Sequence, residues 1–379
     1  MTARTLRIIT ITAIIVLFLL MGAVGYLLFQ THNDTHPLSI KSSKQVSDTW
    51  YRTGDHATAS LADLRNVTLP TDFAFHPHYQ HEWWTIAANV KTDDGHHYGI
   101  QWQYIRLGHG GGSHTQLYLA QVTISDRGHH WYAQRIARSS SAQAGLQTTP
   151  FNLWIDNWYL DGTGSVPLPG KLHVATEQWS MQLALGTTSQ WVRPGQNGRQ
   201  QWGKTHAQHP VGNASSFGWQ APMADISGRL RLPHHDKPIQ VSGQAWLGQR
   251  WGNQLLLQPQ SGRDWFVFHF SSGMTLSVTR FRQAGEKPQF RGVLTYPGGT
   301  VVNLSARDII MTPTLMGVSG QSHYIPYQWN IRVPDYHVNL TATAINRADW
   351  LPLLVPSWSG PINVSGSHTA TGFMQLTGY

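Results

Sequence analysis

The sequence predicts an all-β protein behind an N-terminal membrane-spanning helix. Three observations carry this. Charged residues make up only 12% of the chain, so the long Glu/Lys/Ala runs of surface helices are missing. Val, Thr, Trp and Tyr recur in short alternating runs between Gly and Asn turns, the pattern of half-buried strands. The one long apolar stretch, residues 8–29, lies directly after Arg4 and Arg7.

That stretch is long enough to cross the ~30 Å hydrocarbon layer. It lacks the short apolar region and small-x-small site of a cleaved signal peptide, so the expectation is an uncleaved anchor. The two arginines keep the N-terminus in the cytoplasm, which places the bulk of the chain outside the inner membrane, in the periplasm. Residues 31–64 read as a polar tether, with a short helix expected over 55–65.

The strongest strand signal follows at 75–107, FHPHYQHEWWTIAANVKTDDGHHYGIQWQYIRL. Trp84, Ile86, Ala88 and Val90 alternate with Trp83, Thr85, Ala87 and Asn89, a period of two. Asp94-Gly95 turns the chain. The return strand sets Tyr98, Ile100, Trp102 and Tyr104 against Gly99, Gln101, Gln103 and Ile105. Two readings stay open. The hairpin lines a cavity, with aromatics to hold an apolar body and polar groups to orient it. Alternatively it is an aromatic-rich core, with Gln101 and Gln103 on the wet side.

Further strands follow at regular spacing, among them YLAQVTI at 118–124, FNLWIDNWYL at 151–160 and WSMQLAL at 179–185, as in an antiparallel sandwich or barrel. Residues 190–216 read as a long loop. His234-His235-Asp236-Lys237-Pro238 reads as a turn or linker and marks a domain boundary, giving expected domains 65–236 and 237–379. The second half repeats the style, with DWFVFHF and MTLSVTRFR forming a hairpin and a last strand running to Tyr379.

Several function classes are excluded or unsupported. With no cysteine there is no disulfide framework, lipoprotein anchor, catalytic thiol or Cys-type zinc site. The net charge of +8 is scattered rather than clustered, so no nucleic-acid partner is expected. No Gly-x-Ser-x-Gly elbow or His-Glu-x-x-His helix occurs. His76, His78 and His81 are close in sequence, but Pro77 interrupts them and 21 histidines are spread along the chain; they read as solvated, with no metal site. Glu82 and Asp264, each beside Trp, are the acid candidates, since a carboxylate against apolar rings is pushed toward its protonated form. The alternative for each is an ion pair with a neighbouring-strand arginine such as Arg106 or Arg280.

The hairpin HPHYQHEWWTIAANV…GIQWQYIRL resembles the first-domain signature of the AttH family of secreted hydrolases, related to carotenoid 1,2-hydratase. Ala245-Trp246 with Trp251, RDWFVFHFSSGMTLSVTRFR, YIPYQWNIRVP, SWSGPINVSG and TGFMQLTGY extend the resemblance over roughly residues 65–379. It implies two lipocalin-like β-barrel or sandwich domains, no cofactor, and company with an ABC-type transporter. For the hydratase relatives it implies protonation of an isoprenoid double bond and capture of the cation by water.

The sequence departs from the family at titratable positions. Gly248-Gln249-Arg250-Trp251 stands where Asp-His-Glu-Trp is usual, so the expected acid-base histidine is Gln249. Thr279 replaces a tyrosine, Phe217-Gly218-Trp219 replaces Tyr-Tyr-Ser, and Trp358-Ser359-Gly360 replaces Trp-Glu-Gly. The combined expectation is an anchored, extracytoplasmic binder of an apolar or amphipathic ligand such as a lipid or isoprenoid. Trp83, Trp84, Trp102, Trp246, Trp251 and Trp265 would line its site, and Gln101, Gln103, Gln249 and Arg106 would orient the polar end. The alternative is a cofactor-independent hydratase or hydrolase using Asp264 or Glu82.

Overall fold

A computed structural model describes residues 66–108, 116–138, 142–201, 215–252, 261–320 and 322–379. The expected anchor, tether and short helix all lie outside these residues. Among the described residues no helix is long and apolar enough to cross a membrane.

The first sheet contains β1 (His81–Lys91), β2 (His97–Gly108), β3 (Gln116–Ser125), β4 (His130–Arg138), β5 (Ala144–Thr148), β6 (Phe151–Ile155), β7 (Trp158–Thr163), β8 (Val166–Ala175), β9 (Ser180–Thr188), β10 (Arg199–Gln201), β11 (Ser215–Arg231) and β12 (Ile239–Gly252). Its order is β4-β3-β2-β1-β12-β11-β9-β8-β7-β6-β5, with β10 on β11. The two ends curl toward each other. Tyr104 on β2 donates to the Trp154 carbonyl of β6 at 2.9 Å, and Arg135 on β4 reaches the Ala175 carbonyl of β8 at 3.2 Å. The result is a nearly closed barrel, filled by Trp84, Trp102, Tyr104, Trp158 and their neighbours.

The second sheet contains β13 (Ser261–Phe270), β14 (Thr275–Gln283), β15 (Gln289–Thr295), β16 (Val301–Leu304), β17 (Ile310–Ser319), β18 (His323–Val333), β19 (Val338–Ala344), β20 (Trp350–Leu351), β21 (Ser357–Gly366) and β22 (Ala370–Thr377). Its order is β16-β15-β14-β13-β22-β21-β19-β18-β17, with β20 on β21. Phe266, Phe268, Trp329, Leu340 and Met374 fill its concave side.

Two expectations are corrected by pairing. The turn at 234–238 joins β11 and β12 inside one sheet, so the first sheet runs on to Gly252 and the second begins at Ser261. The stretch 190–216 is not simply a loop. Val192 bridges to Gln220, β10 pairs with β11, and Trp191 packs edge-on against Phe73 and Trp219.

The hairpin β1–β2 is buried on both faces, which is why it carries large apolar residues in both registers. Trp84, Ile86, Ala88, Ile100, Trp102 and Tyr104 face the first barrel's interior. The opposite face meets the second sheet. Ala87 packs with Trp265, Val267 and Phe373, while Trp83 and Ile105 pack toward Leu354 and Val355. Gln101 and Gln103 are not on a wet side. Each is 3% exposed, and they form a polar ladder between the sheets. Ser359 donates to Gln101 Oε1 at 2.6 Å, and Gln375 Nε2 donates to Gln103 Oε1 at 3.1 Å. A row of amides there discriminates between registers where an apolar row would not.

Candidate functional site

The expected site residues fall on three surfaces. Glu82, Trp84, Trp102, Arg106, Gln249 and Trp251 belong to the interior of the first barrel. Trp83, Gln101, Gln103, Trp246 and Trp265 lie between the sheets. Asp264 shares the far face of the second sheet with Phe266 and Phe268. One cavity cannot collect them all, because adjacent residues of a strand point to opposite sides.

Inside the first barrel, Glu82 is the centre of a closed polar cluster. Its Oε1 accepts from His76 Nδ1 at 2.6 Å and from Gln249 Nε2 at 2.7 Å. Its Oε2 accepts from Arg106 Nε at 2.9 Å and from the His76 backbone N–H at 3.0 Å. These four donors fill a carboxylate's acceptor capacity. The second nitrogen of His76 meets Asp72 Oδ1 at 3.2 Å, and the ring stacks on Trp251 with centroids 3.6 Å apart. Gln249 Oε1 accepts from Trp219 Nε1 at 2.7 Å. Residues 70–76 thus return over the barrel mouth and are held there by buried charge.

Two expectations are corrected here. His76 is not a solvated histidine: its side chain is 10% exposed and both ring nitrogens are engaged. Burial alone would lower its pKa, but the Glu82 charge and the hydrogen bonds to Asp72 and Glu82 outweigh this and raise it. Glu82 in turn is not pushed toward its protonated form. Burial raises it, but the positive charges of His76 and Arg106 and the hydrogen bonds from His76 leave it below the ordinary carboxylate range. It is an anion, not a proton donor.

Asp264 is likewise an ion-pair centre. It is fully buried and accepts from Arg280 Nε at 2.6 Å, Arg282 Nε at 3.1 Å and the Tyr379 hydroxyl at 2.8 Å. The neighbouring-strand arginine alternative therefore describes both carboxylates.

A cavity of about 60 Å³ lies between the sheets, bordered by Trp83, Trp246, Trp265, Arg250, Arg263 and Arg291, with Gln249 also on its wall. That is room for a polar group, whereas a pocket for a whole drug-sized ligand holds ~300–1,000 Å³. Arg250 donates to Gln200 Oε1 at 2.8 Å, and Arg263 donates to Gln375 Oε1 at 2.9 Å. The three arginines, the signal that sequence spacing missed, come from β12, β13 and β15 and meet only through sheet packing.

No cluster of metal-ligating side chains occurs among the described residues. The sequence GRQQWGKT at 198–205 matches a phosphate-loop spacing. Within its described part, Gly198–Gln201, residues Arg199–Gln201 form a strand paired with β11 where the motif's cradling loop would stand.

A family model described as AttH-like matches residues 61–379. The chain belongs to the AttH-like family. Among solved structures it is similar to a protein assigned as an AttH from Nitrosomonas europaea, with 21% identity and a TM-score of 0.74, covering 85% of this chain and 99% of that one. It is also similar to kievitone hydratase from Nectria haematococca, with 15% identity and a TM-score of 0.60, covering 85% and 96%. At these identities the likeness shows the shared fold. No curated protein matches by sequence. Of this AttH-like chain's departures noted above, Gly218, Trp219, Gly248, Gln249, Arg250 and Thr279 border the cavity between the sheets, while Phe217 and Ser359 do not.

Proposed function

We propose that this AttH-like chain is a binding protein for an amphipathic ligand, held at the cavity between its two sheets. The observation behind this is what borders the cavity. Trp83, Trp246 and Trp265 supply aromatic surface, and arginines, amides and hydroxyls supply polarity, with no His, Asp, Glu or Tyr among the described lining residues. General acid-base work needs a group that titrates near the working pH. A wall without one can hold and orient a ligand but has nothing to move its protons. The small volume takes the ligand's polar end, and the apolar body lies against the indole rings. In this reading residues 8–29 anchor the chain in the inner membrane, and the ligand passes to an ABC-type transporter. Native mass spectrometry of the full chain, extracted from its own host in neutral detergent, tests it. A stoichiometric co-purifying amphiphile is expected. An empty protein whose tryptophan emission also ignores added lipid would overturn the reading.

A second reading, a hydratase like the kievitone enzyme that shares the fold, is favoured by the buried imidazolium of His76 stacked on Trp251. Protonating an alkene there requires one ring nitrogen to leave Glu82 or Asp72. Under this reading His76→Gln abolishes turnover of an isoprenoid alkene and spares its binding.

A further inference from the structure

Three N–H donors at the cavity have no acceptor among the described residues. Arg263 Nε, Trp83 Nε1 and Trp246 Nε1 are all buried and unbonded, and all three residues border the same space. A buried donor left unpaired is destabilising, more so when it is charged. Other buried donors are also unbonded, among them the Trp84, Trp102 and Trp358 indoles, but these three border one cavity and include a guanidinium N–H.

The charge around them has the same sense. Arg263 lies between the Trp83 and Trp265 rings, 5.8 Å from each centroid. Arg250 and Arg291 border the same cavity. Arg250 donates to Gln200 Oε1, Arg263 to Gln375 Oε1, and Arg291 to the Phe290 and Gln201 carbonyls, all neutral oxygens. No carboxylate is among the described lining residues. Asp264, adjacent to Arg263 in sequence, points the other way and is taken by Arg280, Arg282 and Tyr379. Elsewhere in this molecule buried arginine meets a carboxylate, as Arg106 meets Glu82.

We infer that the cavity between the sheets is an oxyanion site, which takes a carboxylate or phosphate group on the polar end of the ligand. This rests on the binding reading above and narrows its ligand class. An oxyanion offers several acceptor lone pairs in a compact volume, which suits 60 Å³. It gives the guanidinium fork of Arg263 a counter-charge and the two indole N–H groups an acceptor. The electrostatics agree. Burial lowers Arg263 to about 9, with the like charge of Arg250 adding to it, and burial lowers Arg250 to about 10. The Asp264 charge raises Arg263 but does not outweigh its burial.

The test uses the full chain in neutral detergent, titrated with octanoate, 1-octanol and inorganic phosphate and read by calorimetry and tryptophan emission. Octanoate is expected to bind at least about tenfold more tightly than 1-octanol, the usual margin of a charge-assisted hydrogen bond. Arg263→Gln should reduce that preference to within about twofold, and Arg263→Lys should keep part of it. Ser277→Asp, which sets a carboxylate on the half-buried cavity wall, should abolish it with Arg263 intact, so that the result does not hang on one variant folding. Equal binding of octanoate and octanol by the native chain would overturn the oxyanion site and leave the binding reading standing. Phosphate binding without octanoate binding would support the site as one for a free anion and overturn the amphipathic ligand. Binding of none of the three would overturn both.

Discussion

Glu82 shows how a strand hides its chemistry from its own sequence. Trp83 is its neighbour along the chain but points to the other side of the sheet, so the Glu-Trp-Trp triplet says nothing about what the carboxylate touches. Its partners are the residue directly across the ladder, Arg106, one diagonal position, Gln249, and a histidine six residues earlier beyond a proline. The arginine was legible as a neighbouring-strand partner. His76 was not, because nothing in its spacing reports that residues 70–76 fold back over the barrel mouth. The cluster makes a sharp prediction. Glu82→Gln leaves Arg106 charged and underpaired in the interior and removes the charge that raises His76, and should cost about 3–5 kcal/mol in urea unfolding. The pH dependence follows from two opposite shifts. Glu82 is depressed, so its stabilisation is present above its ordinary 4.5 and is lost as pH falls through the lower folded value. His76 is raised, so its stabilisation is full below its ordinary 6.5 and is lost as pH rises through the higher folded value. The pair is strongest between these limits. In His76→Gln the melting temperature should lose the part of its alkaline decline that lies above pH 6.5.

At the scale of elements, the β1–β2 hairpin and the β3–β4 turn carry the sheet-to-sheet contact. Gly99 on β2 faces Pro361 on β21 so closely that a Cβ would fall on the proline ring. Gly99→Ala should therefore cost about 1–3 kcal/mol through overpacking, seen as a lower urea midpoint at unchanged slope. The β3–β4 turn adds a pin. Asp349, fully buried, accepts from the Ser125 hydroxyl and meets His130 Nδ1 at 3.2 Å, joining the second sheet to the first. Burial pushes the Asp349 carboxyl up to about 6, against the hydrogen bonds from His130 and Ser125. A raised folded value means the stabilisation is complete below the ordinary 3.8 and is lost as pH rises through 6. Asp349→Asn keeps an acceptor for Ser125 without a charge. It should flatten the stability profile around pH 6 and, at pH 8, melt higher than the native chain. A native-like decline through pH 6 in this variant would refute the assignment. None of this pin was visible in sequence, since Ser125 ends β3 and Asp349 precedes β20, more than two hundred residues away.

For the whole molecule, strand periodicity carried the all-β class and most of the strand positions, because exposed and buried residues alternate along any strand with one wet face. It could not carry the architecture of β1–β2, where both faces are buried and the alternation separates two interiors rather than inside from outside. The same ambiguity put the domain boundary at 234–238: a polar turn between strands looks the same whether it joins neighbours in a sheet or separates two sheets. The described residues belong to one compact unit, and its two cores are bridged by Ala87, Trp246, Trp265, Val267 and Phe373. Cutting the chain within 253–260 would leave the first sheet with Trp83, Ala87, Ile105 and Leu119 uncovered, together with the amides of Gln101 and Gln103 stripped of their partners on the second sheet. The second sheet would lose the cover over Trp265, Val267 and Phe373. The expected outcome is that fragments ending at 252 or starting at 261 aggregate when expressed singly, and that co-expression recovers a soluble pair with native near-ultraviolet dichroism from the interface tryptophans. Heating the intact chain should give one calorimetric transition with equal calorimetric and van't Hoff enthalpies. Two resolved transitions, or a first fragment that unfolds cooperatively by itself, would mean that each barrel is stable without the other and that the shared face serves the cavity rather than the fold.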